Sequence, residues 1–382
     1  MLDRIEWLDR IGSVSAADWN ALLPDAHPFV RHEFLHAIEH SGSLRADLGW
    51  RAQHLLLWQE NVLVGAAPCY VKMNSHGEFV FDWNWAEAWQ RAGGHYYPKL
   101  LCAVPYSPVT GPRLLAAAGA DRSAIQNRLV AALTDRCQHE GWSSAHINFL
   151  HADDADLVEL DRAGWLPRSD WQYHWSNRGY ADFDAFLSAL TAKKRKNIRQ
   201  ERARVAGPQW RVERLRGDQI DPAVMDDIYR FYSYTFQFKG NVPALTREFF
   251  ERMRTTMPQA LLAVIASRDG ERIGAAFCLQ SHDTLYGRYW GCSEDVPGLH
   301  FECCYYQGIE HCIEQGLQRF EPGAQGEHKI ARGFLPTRTL SRHYLRDPGF
   351  RSAVGQYLKH EAAQQQQYGA MLLEHSPYRF CE

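Results

Sequence analysis

Residues Ala260–Cys292 read ALLAVIASRDGERIGAAFCLQSHDTLYGRYWGC. Three apolar, β-branched and aromatic runs are separated by Asp269-Gly270, a strong hairpin signal, and by the polar Ser281–Asp283. The stretch predicts a three-strand meander. Around it, REFFERMRTTM (Arg247–Met257) predicts a helix before the meander, and FECCYYQGIEHCIEQGL (Phe301–Leu317) a helix after it. QRFEPGA (Gln318–Ala324) then predicts a closing strand and turn.

The same order occurs in the first half. PFVRHEFLHAIEHSGS (Pro28–Ser43) carries Phe34, Leu35 and Ile38 at helical spacing before a Ser-Gly stop. AQHLLLWQENVLVGAAPCYVK (Ala52–Lys72) is two apolar runs around Glu60-Asn61, a hairpin. SAIQNRLVAALTDRCQHEG (Ser123–Gly141) predicts a helix stopped at Gly141, and SSAHINFL (Ser143–Leu150) a buried strand. The repeated order helix, hairpin, helix, strand predicts an α/β (α+β) fold of two related lobes, each a mixed sheet flanked by helices. The expected division is 1–178 and 179–382, the second lobe carrying a basic joint helix and a C-terminal helical tail. A chain of 382 residues is long enough for two cores.

Composition removes several function classes. A net charge of −3 argues against a dedicated nucleic-acid binder. Nine cysteines without a C-x-x-C spacing read as reduced thiols, not a disulfide framework. The N-terminal MLDRIEWLDRIGSV has no apolar core of a signal peptide, and no stretch reaches the length of a membrane span, so the expected location is cytoplasmic. P-loop, nucleophile-elbow and H-E-x-x-H motifs are missing. His300, Glu302, Cys303 and Cys304 do not converge on one helix face, so no metal site is expected.

Three stretches can carry chemistry. The joint segment holds Lys193, Lys194, Arg195, Lys196, Arg199, Arg202 and Arg204 against Glu201 alone. Leu187, Leu190, Ile198 and Val205 give it an apolar stripe. Such an excess of cations is a solvated face in a generic protein, and here it also suits an anionic partner. The second stretch, KMNSHGEFVFDWNWAEAW, brings His76, Glu78 and Asp82 beside Trp83 and Trp85. The third, FEPGAQGEHKIARGF (Phe320–Phe334), sets Glu327, His328, Lys329 and Arg332 among Gly323, Gly326 and Gly333. Glycines of that kind let backbone N–H groups approach an anion.

At these residues the chain resembles the FemAB-like branch of the GNAT acyltransferase superfamily, bacterial proteins described as predicted N-acyltransferases or linked to peptidoglycan biosynthesis. FEPGAQGEHKIARGF, LHFECCYYQGIE (Leu299–Glu310), TAKKRKNIRQERARV (Thr191–Val205), HGEFVFDWNWAEAW (His76–Trp89) and YYPKLLCAVPYSPVTGPRLL (Tyr96–Leu115) carry the resemblance. It implies two tandem GNAT-like lobes. It also implies transfer of an acyl or aminoacyl group to an amine, the acceptor being a small molecule or a lipid-linked cell-wall precursor. No tightly bound cofactor is implied; acyl-CoA or aminoacyl-tRNA would be co-substrate, with tRNA or an acyl carrier protein as the donor's bearer. EDVPGLHFECC (Glu294–Cys304) departs from the R/Q-x-x-G-x-G/A loop that cradles coenzyme A in ordinary GNAT enzymes.

The expected site has Glu302 or His328 as base and Lys329 with Arg332 as electrostatic groups. Lys193, Lys194, Arg195 and Lys196 are expected to grip donor phosphates, with His76, Glu78, Asp82, Trp83 and Trp290 as further substrate-binding residues. The rival expectation is a non-catalytic module that recognises cell-wall precursors.

Overall fold

The computed structural model describes residues 3–23, 25, 27–151, 156–323 and 326–379. It divides into two compact units. The first comprises residues 1–171 and 338–368, the second residues 172–337 and 369–382. Residues 338–368 therefore join the first unit, where a single joint at 178/179 had placed them in the second.

In the first unit, Asp3–Leu8, His54–Gln59, Val62–Ala67 and Leu115–Ala116 form a four-stranded sheet in that order. The hairpin turns at Glu60-Asn61 as the sequence predicts, with Glu60 in the left-handed region at φ 56°. A second set of strands centres on Ser144–Leu150. Lys99–Cys102 runs parallel to it on one side, and Leu335–Leu345 pairs antiparallel on the other from Leu340 onward. Cys69–Lys72 and then Trp50–Ala52 extend the Lys99 edge. The helix Arg122–His139 is capped by the Asp121 side chain. It lays Ile125, Leu129, Val130, Leu133 and Cys137 against Leu55, Leu57, Val71, Leu100 and Ile147 to make the main core.

The second unit contains the predicted meander, Leu261–Arg268, Glu271–Gln280 and Thr284–Cys292, with Trp210–Arg216 on its outer edge. Arg319–Glu321 adds parallel to Thr284–Cys292, and the end of Leu166–Ser176 pairs antiparallel with it. The helix after the meander runs as Leu299–Phe301, a π-turn Glu302–Tyr306, and Gln307–Gln315. The joint segment is two helices, Phe183–Ala189 and Ala192–Ala203, broken where Leu190 turns extended. Among the described residues no helix is long and apolar enough to cross a membrane.

Candidate active site

After the strand Arg319–Glu321 come glycines whose backbone conformations favour glycine, Gly323 at φ 103° among them. Gly326 and Gly333 both have positive φ, 114° and 99°. A Cβ on Gly333 would lie 2.8 Å from the Phe186 ring. Between them Glu327–Arg332 forms a short 3-10 helix. The turn sends successive side chains opposite ways: Glu327 and His328 to the surface, Lys329 and Ile330 inward.

His328 places Nε2 2.9 Å from the Tyr305 hydroxyl. One face of its ring lies against Tyr305 and Phe301, and His300 is the next ring. Lost hydration on that face, then the Arg332 and Lys329 charges, holds His328 below the ordinary imidazole value. The ring is therefore neutral at neutral pH and keeps a lone pair for a proton. Tyr305 belongs to the π-turn, a local expansion of helices that recurs at functional sites. Burial raises its phenol, so the hydroxyl stays protonated.

Lys329 is buried, and its Nζ donates to the Gly323 carbonyl at 2.7 Å. Burial brings its ammonium down to about 8, with Cys304 opposing and Arg288 adding to the shift. No ion pair holds it among the described residues, which leaves a largely charged ammonium at neutral pH under the loop. Trp290 is half-buried in the apolar cluster of Ile273, Ala276 and Leu299, its ring edge-on to His300 at 5.7 Å. The structure thus gathers Trp290, His300, Tyr305, His328, Lys329 and Arg332 in one unit.

Glu302 is close in sequence and differently engaged. Arg202 grips both of its oxygens at 2.9 and 3.0 Å, and Gln307 donates to Oε1 at 2.7 Å. With both oxygens already accepting, Glu302 is committed to Arg202 and Gln307, whereas the His328 ring reaches the surface. Arg332 is likewise committed. Its Nη2 and Nε meet Glu201 at 2.6 and 3.1 Å, its Nη1 donates to the His328 carbonyl at 2.7 Å, and its guanidinium covers the Phe301 ring. In the sequence Glu201 is the one acid among the cations of its helix, and its partner Arg332 lies 131 positions away.

On the basic helix, Lys193 and Lys196 are exposed, and Lys194 and Arg195 partly so. None of the four forms an ion pair among the described residues, whereas Arg199 pairs with Asp184 and Arg202 with Glu302 and Glu310. No acid occupies the helix's first turn. Four cations at the positive end of a helix repel one another and the dipole, a cost an anion would remove.

The first-unit residues form a separate arrangement. Glu78 and Asp82 are buried and bind the Lys99 ammonium at 2.8 and 2.6 Å, where Ser75 also accepts at 2.9 Å. Asp82 further accepts from Tyr96 at 2.5 Å and from Ser75. Although burial opposes it, Lys99, with His146, keeps Asp82 well below the carboxylate range, while burial carries Glu78 up to about 7. These two acids serve a buried lysine, which corrects their assignment as substrate-binding groups. His76 and Trp83 stay at the surface, Trp83 48% exposed and stacked on Phe81 at 4.4 Å. Among the described residues no group of three His, Cys, Asp or Glu side chains is arranged to hold a metal ion.

A family model named FemAB-like, described as peptidoglycan biosynthesis/recognition, matches residues 10–380. Among solved structures, FemX is similar at 11% identity and TM-score 0.55, covering 92% of this chain and all of its own. The C-terminal domain of a putative lysylphosphatidylglycerol synthetase from Agrobacterium fabrum is similar at 10% identity and TM-score 0.54, with 88% and 93% covered. A tandem GNAT protein from the clavulanic acid biosynthesis pathway matches at 10% identity, with 90% and 99% covered and TM-score 0.46. No curated protein matches. The first two likenesses carry the fold, and the expected α/β architecture of mixed sheets flanked by helices stands.

Proposed function

The chain belongs to the FemAB-like family, and from that premise we propose that it is an N-acyltransferase. It moves an acyl or aminoacyl group from an activated, phosphate-bearing donor, a CoA thioester or an aminoacyl-tRNA, to an amine in cell-wall precursor metabolism, and it works in the cytoplasm. The observation that carries this reading is the neutral His328 imidazole 2.9 Å from the Tyr305 hydroxyl, beside the Lys329 charge.

Acyl transfer to an amine asks for three things. The incoming ammonium must lose a proton, the oxyanion must be stabilised, and the leaving oxygen or sulfur must be protonated. His328 takes the first proton. The Tyr305 hydroxyl is a donor for the leaving group and is reprotonated by the imidazolium it touches. Lys329 adds positive potential without spending a hydrogen bond on substrate. Lys193, Lys194, Arg195 and Lys196 hold the donor's phosphates.

His328→Ala is expected to lower turnover by about 100-fold, the scale of a lost general base, with thermal stability nearly unchanged. The assay pairs acyl-CoA and aminoacyl-tRNA donors with amine-bearing cell-wall precursors. Full activity in the variant would remove His328 from the mechanism. Replacing Lys193, Lys194, Arg195 and Lys196 together by Ser should weaken donor binding while the fold persists, and the wild-type affinity should fall with added salt. Equal donor affinity in both proteins would return the helix to a plain solvated face. The intramolecular saturation of Glu302 and Arg332 favours one alternative, a lobe pair that recognises precursors without turnover; binding with no product under any donor is its signature.

A further inference from the structure

Glu201 and Arg202 are neighbours on the basic helix, yet each reaches a different element of the candidate site. Arg202 ties the helix to Glu302 and Glu310 on the 299–315 helix, at 2.9 and 2.6 Å. Glu201 ties it to the 327–332 turn through both nitrogens of the Arg332 fork and also accepts from the Tyr306 hydroxyl. The third arm of Arg332 ends on the main-chain carbonyl of His328, 2.7 Å away. The Arg332 plane is pinned as well, with its carbon 3.4 Å above the Phe301 ring, and Phe301 is one of the rings against which His328 rests. Bidentate guanidinium–carboxylate pairs fix orientation as well as distance. One carboxylate therefore sets where the His328 backbone sits, and it stands on the helix whose first turns carry the unpaired cations.

We propose that Glu201 is a positioning residue for His328, locking the 327–332 turn to the basic helix so that an anion on Lys193–Lys196 and the His328 ring sense each other. This rests on the functional reading above for the role of His328, but the linkage is a property of the fold and has its own readout. The alternative for Glu201 is a buried ion pair that merely holds two elements together. A structural pair would change stability when broken and leave the imidazole's titration and its response to anions as they were.

The test uses the full chain labelled with 15N-histidine, with the His328 ring resonances assigned from a His328→Gln variant. In the wild type, inorganic pyrophosphate is expected to move the His328 resonances, and the Lys193, Lys194, Arg195 and Lys196 to Ser variant to abolish that movement. In Glu201→Gln the response is expected to vanish. The His328 titration midpoint should also drop, because the nearby carboxylate favours the charged ring and its loss leaves Arg332 and Lys329 unopposed. Glu201→Asp should restore part of both effects. If Glu201→Gln does not fold, Arg332→Lys keeps the charge and removes the fork, and the pyrophosphate response is expected to vanish there too. A wild-type ring indifferent to pyrophosphate, or a Glu201→Gln or Arg332→Lys ring that responds as the wild type does, overturns the proposal. If the linkage is found while no donor supports transfer, the functional reading fails and the positioning stands. Transfer with an unresponsive ring is the reverse case.

Discussion

Lys99→Met is expected to destabilise the first unit by about 3–5 kcal/mol, the scale for removing one partner of a buried ion pair. Lys99 opens the strand Lys99–Cys102, and its side chain has no exposed surface. Its three donors are spent on Glu78, Asp82 and Ser75. Methionine fills the volume but removes the one ammonium that both carboxylates touch, leaving only the less closely placed Lys72 and the His146 ring near them, so at least one must take up a proton that water would otherwise hold. Ser75 also bonds Asp82 and Tyr97, so the loss spreads through the loop that joins Lys72 to the helix Trp83–Arg91. Making the cluster neutral throughout, as Lys99→Met with Glu78→Gln and Asp82→Asn, should recover much of the loss, because the uncompensated charge is what costs most. Denaturant titration measures both variants. A single variant within 1 kcal/mol of wild type would mean that water or another cation reaches the carboxylates.

That cluster also shows where local sequence stops being informative. Glu78 and Asp82 stand out in KMNSHGEFVFDWNWAEAW, but the lysine that claims them lies 21 and 17 positions on, hidden at the head of the apolar KLLC. Glu201 and Arg332 are 131 positions apart. Pairings of that span are set by strand register and helix docking, which leave no mark on periodicity. What periodicity and turn chemistry do fix was readable: the Glu60-Asn61 and Asp269-Gly270 turns, the helix Arg122–His139, and the strand Ser144–Leu150. The return of Leu335–Leu345 to pair with Ser144–Leu150 was not, since TRTLSRHYL alternates like any edge strand and says nothing of its neighbour. Phe350, Val354 and Leu358 then follow it onto Trp85 and Tyr96, which is why the C-terminal helix belongs largely to the first unit. In the candidate site, the residue types were visible but their commitments were not. Glu302 stands in the sequence as an acid in a helix's first turn, and its partner Arg202 lies 100 positions away.

Acidification should unfold this protein well above the pH at which carboxylates titrate. His27, His146, His174, His311 and His343 are all buried. Burial is the largest cause of depression in each, carrying His27, His146 and His174 down to about 3, His311 to about 4, and His343 well below its ordinary value. Their hydrogen bonds suit the neutral ring. The His146 and His343 Nδ1 atoms meet at 2.6 Å, a contact that needs one bare nitrogen, and His146 Nε2 reaches Ser144 while His343 Nε2 reaches Ser341. An imidazole with a folded-state pKa below its unfolded value binds its proton more readily once the chain unfolds. Its stabilisation is therefore complete above about pH 6.5 and is lost as the pH falls toward the folded value. Each such ring removes about 1.4 kcal/mol per pH unit in that window. Five rings, with His146 and His343 titrating as a pair, sum to the order of 10 kcal/mol by pH 5, divided between the two units, which is still a large part of the stability of a typical domain in each. Glu78 works in the opposite direction, since its raised pKa gains stability as pH falls below about 7, but it is one group against five. Both units carry depressed histidines, three in the first and two in the second, so neither is spared. Circular dichroism against pH is expected to show cooperative unfolding near about pH 5, and His146→Gln with His343→Gln should move the midpoint lower by removing two of the titrating groups. A chain still fully folded at about pH 3.5 would mean that these rings accept protons in place, and that their surroundings hold water or carboxylates close enough to welcome the charge.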